Sequence, residues 1–146
     1  MKRTIIGILL VLLLANCQRN EPQNLLVGTW RWEQSSGGDS AYVVVEPKQG
    51  ENTYLTFLNN QTFEITRNDT LFVTGKYRIT RVKSAFSNKI VEAIKFQEMV
   101  TLHQGTGYGE YFYFLGDLRI IKEITSSVLS LSANYVYGYG SSFTRK

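Results

Sequence analysis

Residues 71–79 read Leu-Phe-Val-Thr-Gly-Lys-Tyr-Arg-Ile, with Leu71, Val73, Tyr77 and Ile79 on one side of the alternation and Thr74, Lys76 and Arg78 on the other. A period of two held over this length is that of a half-buried strand. A helix would scatter the same four apolar side chains around its circumference. Thr62-Phe63-Glu64-Ile65-Thr66 repeats the pattern. Thr53 to Leu58 reads as the strand before it, and Asn59-Asn60-Gln61 as a tight polar connection, so the two are expected to form a hairpin. Arg67-Asn68-Asp69 marks the next turn.

The remaining chain continues in the same rhythm. Tyr42-Val43-Val44-Val45 is a short β-branched run stopped by Pro47. Glu110 to Leu115 reads as a strand turned by Gly116-Asp117, and Leu118, Ile120 and Ile124 are expected on one face of the next. Ser127 to Ser132 and Tyr135 to Thr144 complete the series. Asn88 to Glu98 is open to a helix through Ile90 and Ile94, but Phe96 and the neighbouring pattern favour a strand. With 9 Tyr and 8 Phe against 2 Pro, the composition suits sheet. The expectation is an all-β fold, an antiparallel up-and-down barrel of about eight to nine strands, with a sandwich as the other arrangement of such strands.

The chain opens with Met-Lys-Arg and an apolar run from Ile5 to Leu14, broken by Gly7. That run is too short for the roughly 20 residues that span a bilayer, and its length suits the apolar part of a signal peptide. Leu14-Ala15-Asn16-Cys17 follows and resembles the lipobox of bacterial lipoproteins. The resemblance implies cleavage before Cys17, a diacylglyceryl group on its thiol, and localisation to the cell envelope, with the outer membrane expected on its periplasmic face or at the cell surface. Two acyl chains hold a protein firmly where one does not. Residues 1–16 are thus read as signal, 17–24 as lipidated cysteine and polar tether, and 25–146 as one domain. Cys17 is the sole cysteine, which leaves the mature chain no disulfide partner, thiol nucleophile or thiolate metal site. Without Lys2 and Arg3 the chain keeps 14 basic and 12 acidic side chains, a charge of +2. The basic residues are scattered, which excludes a nucleic-acid footprint.

The domain begins Leu25-Leu26-Val27-Gly28-Thr29-Trp30-Arg31-Trp32. Leu-x-Gly-x-Trp at the head of a β-rich domain resembles the first strand of lipocalins and of small bacterial lipocalin-like lipoproteins of the Bacteroidetes type. The resemblance implies that Trp30 closes the base of an eight-stranded barrel behind Gly28, and that an arginine of the last strand packs over it. Arg145, in Ser-Phe-Thr-Arg-Lys at residues 142–146, is the candidate. Neither a second motif of Thr-Asp-Tyr type nor a helix after the last strand is seen, which places the resemblance with the shorter lipocalin-like group. Trp32, two residues on, shares the face of Trp30 and would line the wall of any ligand cavity.

Chemistry is sparse. His103 is the lone histidine, too few for a histidine metal site and a thin basis for a triad. Gly105-Thr106-Gly107-Tyr108-Gly109 lacks the Lys-Ser/Thr and helix start of a phosphate loop. The carboxylates lack calcium-loop spacing. No cofactor, metal or catalytic residue is expected, and the chain is not expected to be an enzyme. Tyr111 and Tyr113, and Tyr135, Tyr137 and Tyr139, are expected to share strand faces. Tyrosine combines an apolar ring with a polar tip, which suits pocket walls and interfaces. The leading expectation is a membrane-anchored barrel that binds a small hydrophobic ligand. The alternative is an envelope lipoprotein that works through a protein partner.

Overall fold

The alternating segments pair with their neighbours in chain order, and the last pairs with the first. The computed structural model describes residues 21–38, 42–103 and 113–146; Cys17 and the glycine-rich run at 105–109 lie outside them. A short helix, α1 (Glu21–Leu26), leads into β1 (Gly28–Gly37), β2 (Val43–Val45), β3 (Thr53–Phe57), β4 (Thr62–Arg67), β5 (Thr70–Lys83), β6 (Ile90–Thr101), β7 (Leu118–Ile124), β8 (Val128–Ser132) and β9 (Gly140–Arg145). Every pairing is antiparallel, and β1 bonds β9 on one side and β3 on the other. Eight strands therefore close an up-and-down barrel, the fold class expected. The ambiguous segment at 88–98 is strand, most of it in β6.

Register shows how strongly the strands tilt. From Ser36 the ladder runs through Gly140, Ser132, Ile120 and Ala93 to Thr80. In the other direction Gly28 leads through Phe57 and Phe63 to Gly75. Nearby residues of β5 thus connect to opposite ends of β1, the stagger that an eight-stranded barrel needs to close around a side-chain-filled interior. Turn chemistry supports the register. Asn68 and Asp69, at φ 47° and 62°, make the two-residue β4–β5 hairpin. The Asn60 carboxamide accepts from both the Thr62 N–H and its hydroxyl between β3 and β4.

β2 is not a ninth stave. It pairs with Ser35–Gly37 while β3 pairs with Gly28–Arg31, both on the same side of β1. Together they form one interrupted strand, and Trp32, Glu33 and Gln34 face the gap. A bulge against β9 between Trp32 and Gln34 coincides with it. The chain between β2 and β3 swings out there and leaves an open polar cleft of about 480 Å³ bordered by Arg31, Glu33, Glu46, Lys48 and Glu51. Glu33 holds Arg31 at 2.8 Å and accepts from Thr144.

Inward-facing residues form one core of Leu26, Trp30, Trp32, Leu55, Phe57, Phe63, Ile65, Tyr77, Ile94, Phe96, Leu129 and Phe143, with Phe114 and Leu115 added from outside the strands. Phe57–Tyr77 and Phe63–Phe96 meet edge to face at 4.8 and 4.9 Å, contacts of about 0.5–1.5 kcal/mol each beyond area burial.

Three local expectations are corrected. Tyr113–Leu115 is turn rather than strand, while 110–112 lie outside the described residues. Tyr135–Tyr139 is a chain reversal before β9, so these tyrosines share no strand face: Gly138 N–H bonds the Tyr135 carbonyl, Ala133 N–H bonds that of Tyr139, and Tyr137 takes φ 68°. On β7 the faces are exchanged. Arg119 opposes the core residue Ile94 in register and is buried with it, while Leu118 is half-buried and Ile120, paired with Ala93, is buried outside that core cluster. A bulge between Ile121 and Glu123 then lets both Ile121 and Ile124 reach the core.

Candidate functional site

The two ends of the barrel are built differently. At the end where β1 begins, α1 lies across the opening and buries Leu26. Pro22 sits in its first turn, where a missing N–H costs nothing. Trp30 is fully buried and donates from Nε1 to the Leu26 carbonyl at 2.8 Å. Arg145 opposes Trp30 in the β1–β9 ladder, and its guanidinium carbon lies 4.2 Å from the indole ring centroid. The same guanidinium donates to the Val27 carbonyl at 3.0 Å and to that of Leu25. It thus satisfies carbonyls at the helix end that no intrahelical donor reaches. Gly28 lets this happen: its φ is +137°, and a Cβ there would fall 2.4 Å from Arg145 Nη1. The structure brings Gly28, Trp30 and Arg145 together.

Above them stands Trp32, exposed by only 1%. Its Nε1 donates to Ser35 Oγ at 2.9 Å, Ser35 meets Ser141 at 2.7 Å, and the Ser141 hydroxyl bonds the Tyr113 carbonyl at 3.1 Å. Phe114 comes with that turn. Its ring lies 5.5 Å from Trp32 and 5.4 Å, edge to face, from Phe143. The space beside Trp32 is therefore occupied by a side chain that no strand contributes.

Arg119 fastens the same turn from the other side. Its guanidinium, 4% exposed, donates to the carbonyls of Leu115 and Tyr139. Burial lowers its pKa from the ordinary arginine value, and the nearby Tyr135 phenol partly offsets this. Tyr113 and Tyr139 close the group, ring to ring at 4.6 Å. The sequence reading missed Arg119 because the apolar positions of β7 suggested the opposite face. The signal available was the run Leu-Arg-Ile-Ile, equally compatible with Arg119 and Ile121 inside once a bulge is allowed.

His103 is exposed and rests its ring 5.4 Å from that of Phe72. Among the described residues no three His, Cys, Asp or Glu side chains converge as metal ligands, and no helix there is long and apolar enough to cross a membrane.

Fold and site together define a closed eight-stranded antiparallel β-barrel, capped at one end by a helix and an arginine–tryptophan stack and plugged at the other by an aromatic turn. No family model matches the sequence, and no curated protein matches it. Among solved structures, a lipocalin-like protein from Bacteroides uniformis is similar at 18% identity, over 84% of this chain and 99% of that one, with a TM-score of 0.41.

Proposed function

We propose that the protein is a lipid-anchored, lipocalin-like barrel of the bacterial cell envelope that takes a small apolar ligand at the plugged end, in the place Phe114 fills. Its role on this reading is binding rather than catalysis. The observation that carries it is the origin of Phe114. Trp32 and Phe143 belong to paired strands, whereas Phe114 reaches them from a turn. A ligand ring or acyl chain entering there exchanges one apolar contact for another, and no strand pairing has to break. The anchor reading comes from the lipobox-like Leu14-Ala15-Asn16-Cys17. Its check is incorporation of labelled palmitate in cells, lost on Cys17→Ser.

The ligand reading is tested by titrating the purified protein with a fluorescent fatty acid and following quenching of tryptophan emission. Saturable one-to-one binding, tightened in Phe114→Ala, is the expected result. Absence of saturation in both proteins overturns it. The second reading, a protein partner without a small ligand, is favoured by one observation: Tyr135, Val136 and Tyr137 stand 61%, 57% and 64% exposed in succession.

A further inference from the structure

The β5–β6 hairpin carries two large apolar side chains in water at its far end, Phe86 at 54% and Ile90 at 66% exposure. Neither belongs to the core. Asn134 ties this end to the tyrosine-bearing reversal between β8 and β9: its carboxamide oxygen accepts from Ala85 N–H at 2.8 Å, and its amide donates to the Lys83 carbonyl at 3.0 Å. These bonds set the hairpin's turn beside the residue that precedes Tyr135, Val136 and Tyr137, themselves 61%, 57% and 64% exposed. Such a group exceeds the singly scattered apolar residues of an ordinary surface. With about 150–250 Å² available on each aromatic side chain, its three aromatic residues alone leave several hundred Å² of ring surface in water.

The turn of the hairpin is basic. The segment Lys83-Ser-Ala-Phe-Ser-Asn-Lys89-Ile90 contains two lysines and no acid, and no acid occurs from Ser132 to Lys146. Lys122 places its ammonium 5.8 Å from the Phe86 ring centroid. On the body of the hairpin Arg81 opposes Glu92, but Arg78 opposes Lys95 directly, a like-charge pair that a sheet tolerates at a cost. Aromatic rings and aliphatic side chains interleaved with lysines match the interfacial layer of an anionic bilayer, and Glu92, the nearest carboxylate on the hairpin, faces Arg81 across the β5–β6 pair.

The position of the amino-terminal tether agrees. Pro22 and Gln23 of α1 border a cleft with Ile79, Thr80 and Arg81 of β5 and Glu92 of β6. Arg81 and Glu92 alternate with Lys83 and Ile90 along the same face of the hairpin. Cys17 precedes Glu21 by four residues, a reach of about 14 Å at most. A lipid on Cys17 would therefore enter its membrane close to this hairpin.

We infer that the β5–β6 hairpin, with Phe86, Ile90, Lys83 and Lys89 at its tip and Tyr135–Tyr137 beside it, docks the barrel onto an anionic lipid surface. Docking there gives the tethered barrel a fixed orientation instead of free tumbling on its leash. The inference rests on the anchor reading only for which membrane is met; the surface itself is tested without the lipid.

The experiment uses the chain from Gln18 onward, which keeps every strand pairing of the closed barrel, and phospholipid vesicles without other protein. Pelleting with vesicles of phosphatidylcholine and phosphatidylglycerol, at least tenfold stronger than with phosphatidylcholine alone and weakening as salt rises, is expected. Phe86→Ser with Ile90→Ser should lower binding at least tenfold. Lys89→Gln, a change at an exposed position that leaves packing intact, should lower it about fivefold, the usual worth of one basic residue at such a surface. No pelleting with either vesicle, or equal pelleting with both, overturns the inference. So does sedimentation of the free chain as a dimer that the Phe86/Ile90 variant dissolves, since a second copy would then be the occupant. Failure of the anchor reading shows separately, as palmitate labelling that survives Cys17→Ser.

Discussion

Arg145 stacks its guanidinium over the Trp30 indole, 4.2 Å from the ring centroid, while donating hydrogen bonds to the carbonyls of Val27 and Leu25. One side chain from the last strand thus joins the first strand, the helix end and the tryptophan that fills the barrel base. Closure of the ring and capping of its end are the same event, because Trp30 and Arg145 are register partners in the β1–β9 ladder that shuts the barrel.

Arg145→Ala is expected to destabilise the fold by about 2–4 kcal/mol, the sum of a cation–π contact and charge-assisted bonds to buried carbonyls. Gly28→Ala is expected to cost at least about 2 kcal/mol, because the new methyl would lie 2.4 Å from Arg145 Nη1 at a backbone φ of +137°. In the double variant the clash disappears while the backbone strain remains. The loss in the double variant should therefore fall short of the sum of the two single losses by about 0.5 kcal/mol or more. Urea unfolding of the four proteins measures this, and strict additivity would remove the steric link.

Arg119 holds the turn that inserts Phe114, through the carbonyls of Leu115 and Tyr139. Arg119→Met keeps the volume and loses the fork of donors. Loss of about 2–4 kcal/mol is expected from the unsatisfied carbonyls, with faster amide hydrogen exchange concentrated in residues 113–117. Arg119→Lys should recover little, since one ammonium cannot span both carbonyls as a planar guanidinium does. Exchange that rises uniformly over the barrel instead would mean that Arg119 supports the whole fold rather than this turn.

The strand order of the barrel was legible in the sequence wherever one face met the core and the other met water. Leu71–Ile79 and Thr62–Thr66 belong to such strands, and their burial follows the alternation. Gly28, Trp30 and Arg145 could be placed through a family resemblance, since a glycine beside a tryptophan carries no geometry by itself. The plugged end was not legible for the opposite reason. Tyr113-Phe114-Leu115 and Tyr135–Tyr139 are as aromatic and apolar as a strand, but their backbone bonds go to Arg119, Ser141, Gly38 and their own turn. Whether an aromatic segment pairs with a strand or folds onto the end of a barrel is decided by partners far away in the chain. The bulge on β7 likewise shifts the phase of the alternation by one residue, and nothing in Leu118–Ile124 marks where that shift falls.

Tyr77 gives the barrel a dependence on alkaline pH. Its side chain is buried, its hydroxyl donates to the Leu58 carbonyl at 3.0 Å, and burial raises its pKa above the ordinary tyrosine value of 10.0. The folded state therefore favours the neutral phenol. Below about pH 10 both folded and unfolded chains keep this proton and the contribution to stability is complete. Above it the unfolded chain ionises first, so this part of the stability declines until the pH passes the folded pKa. Tyr77→Phe is expected to cost about 1 kcal/mol at pH 7 through the lost hydrogen bond, and to lose less stability than the parent between pH 9 and 11. Urea midpoints of the two proteins across that range decide the point, because every other tyrosine is common to both. Parallel curves would show that Tyr77 does not couple its proton to folding.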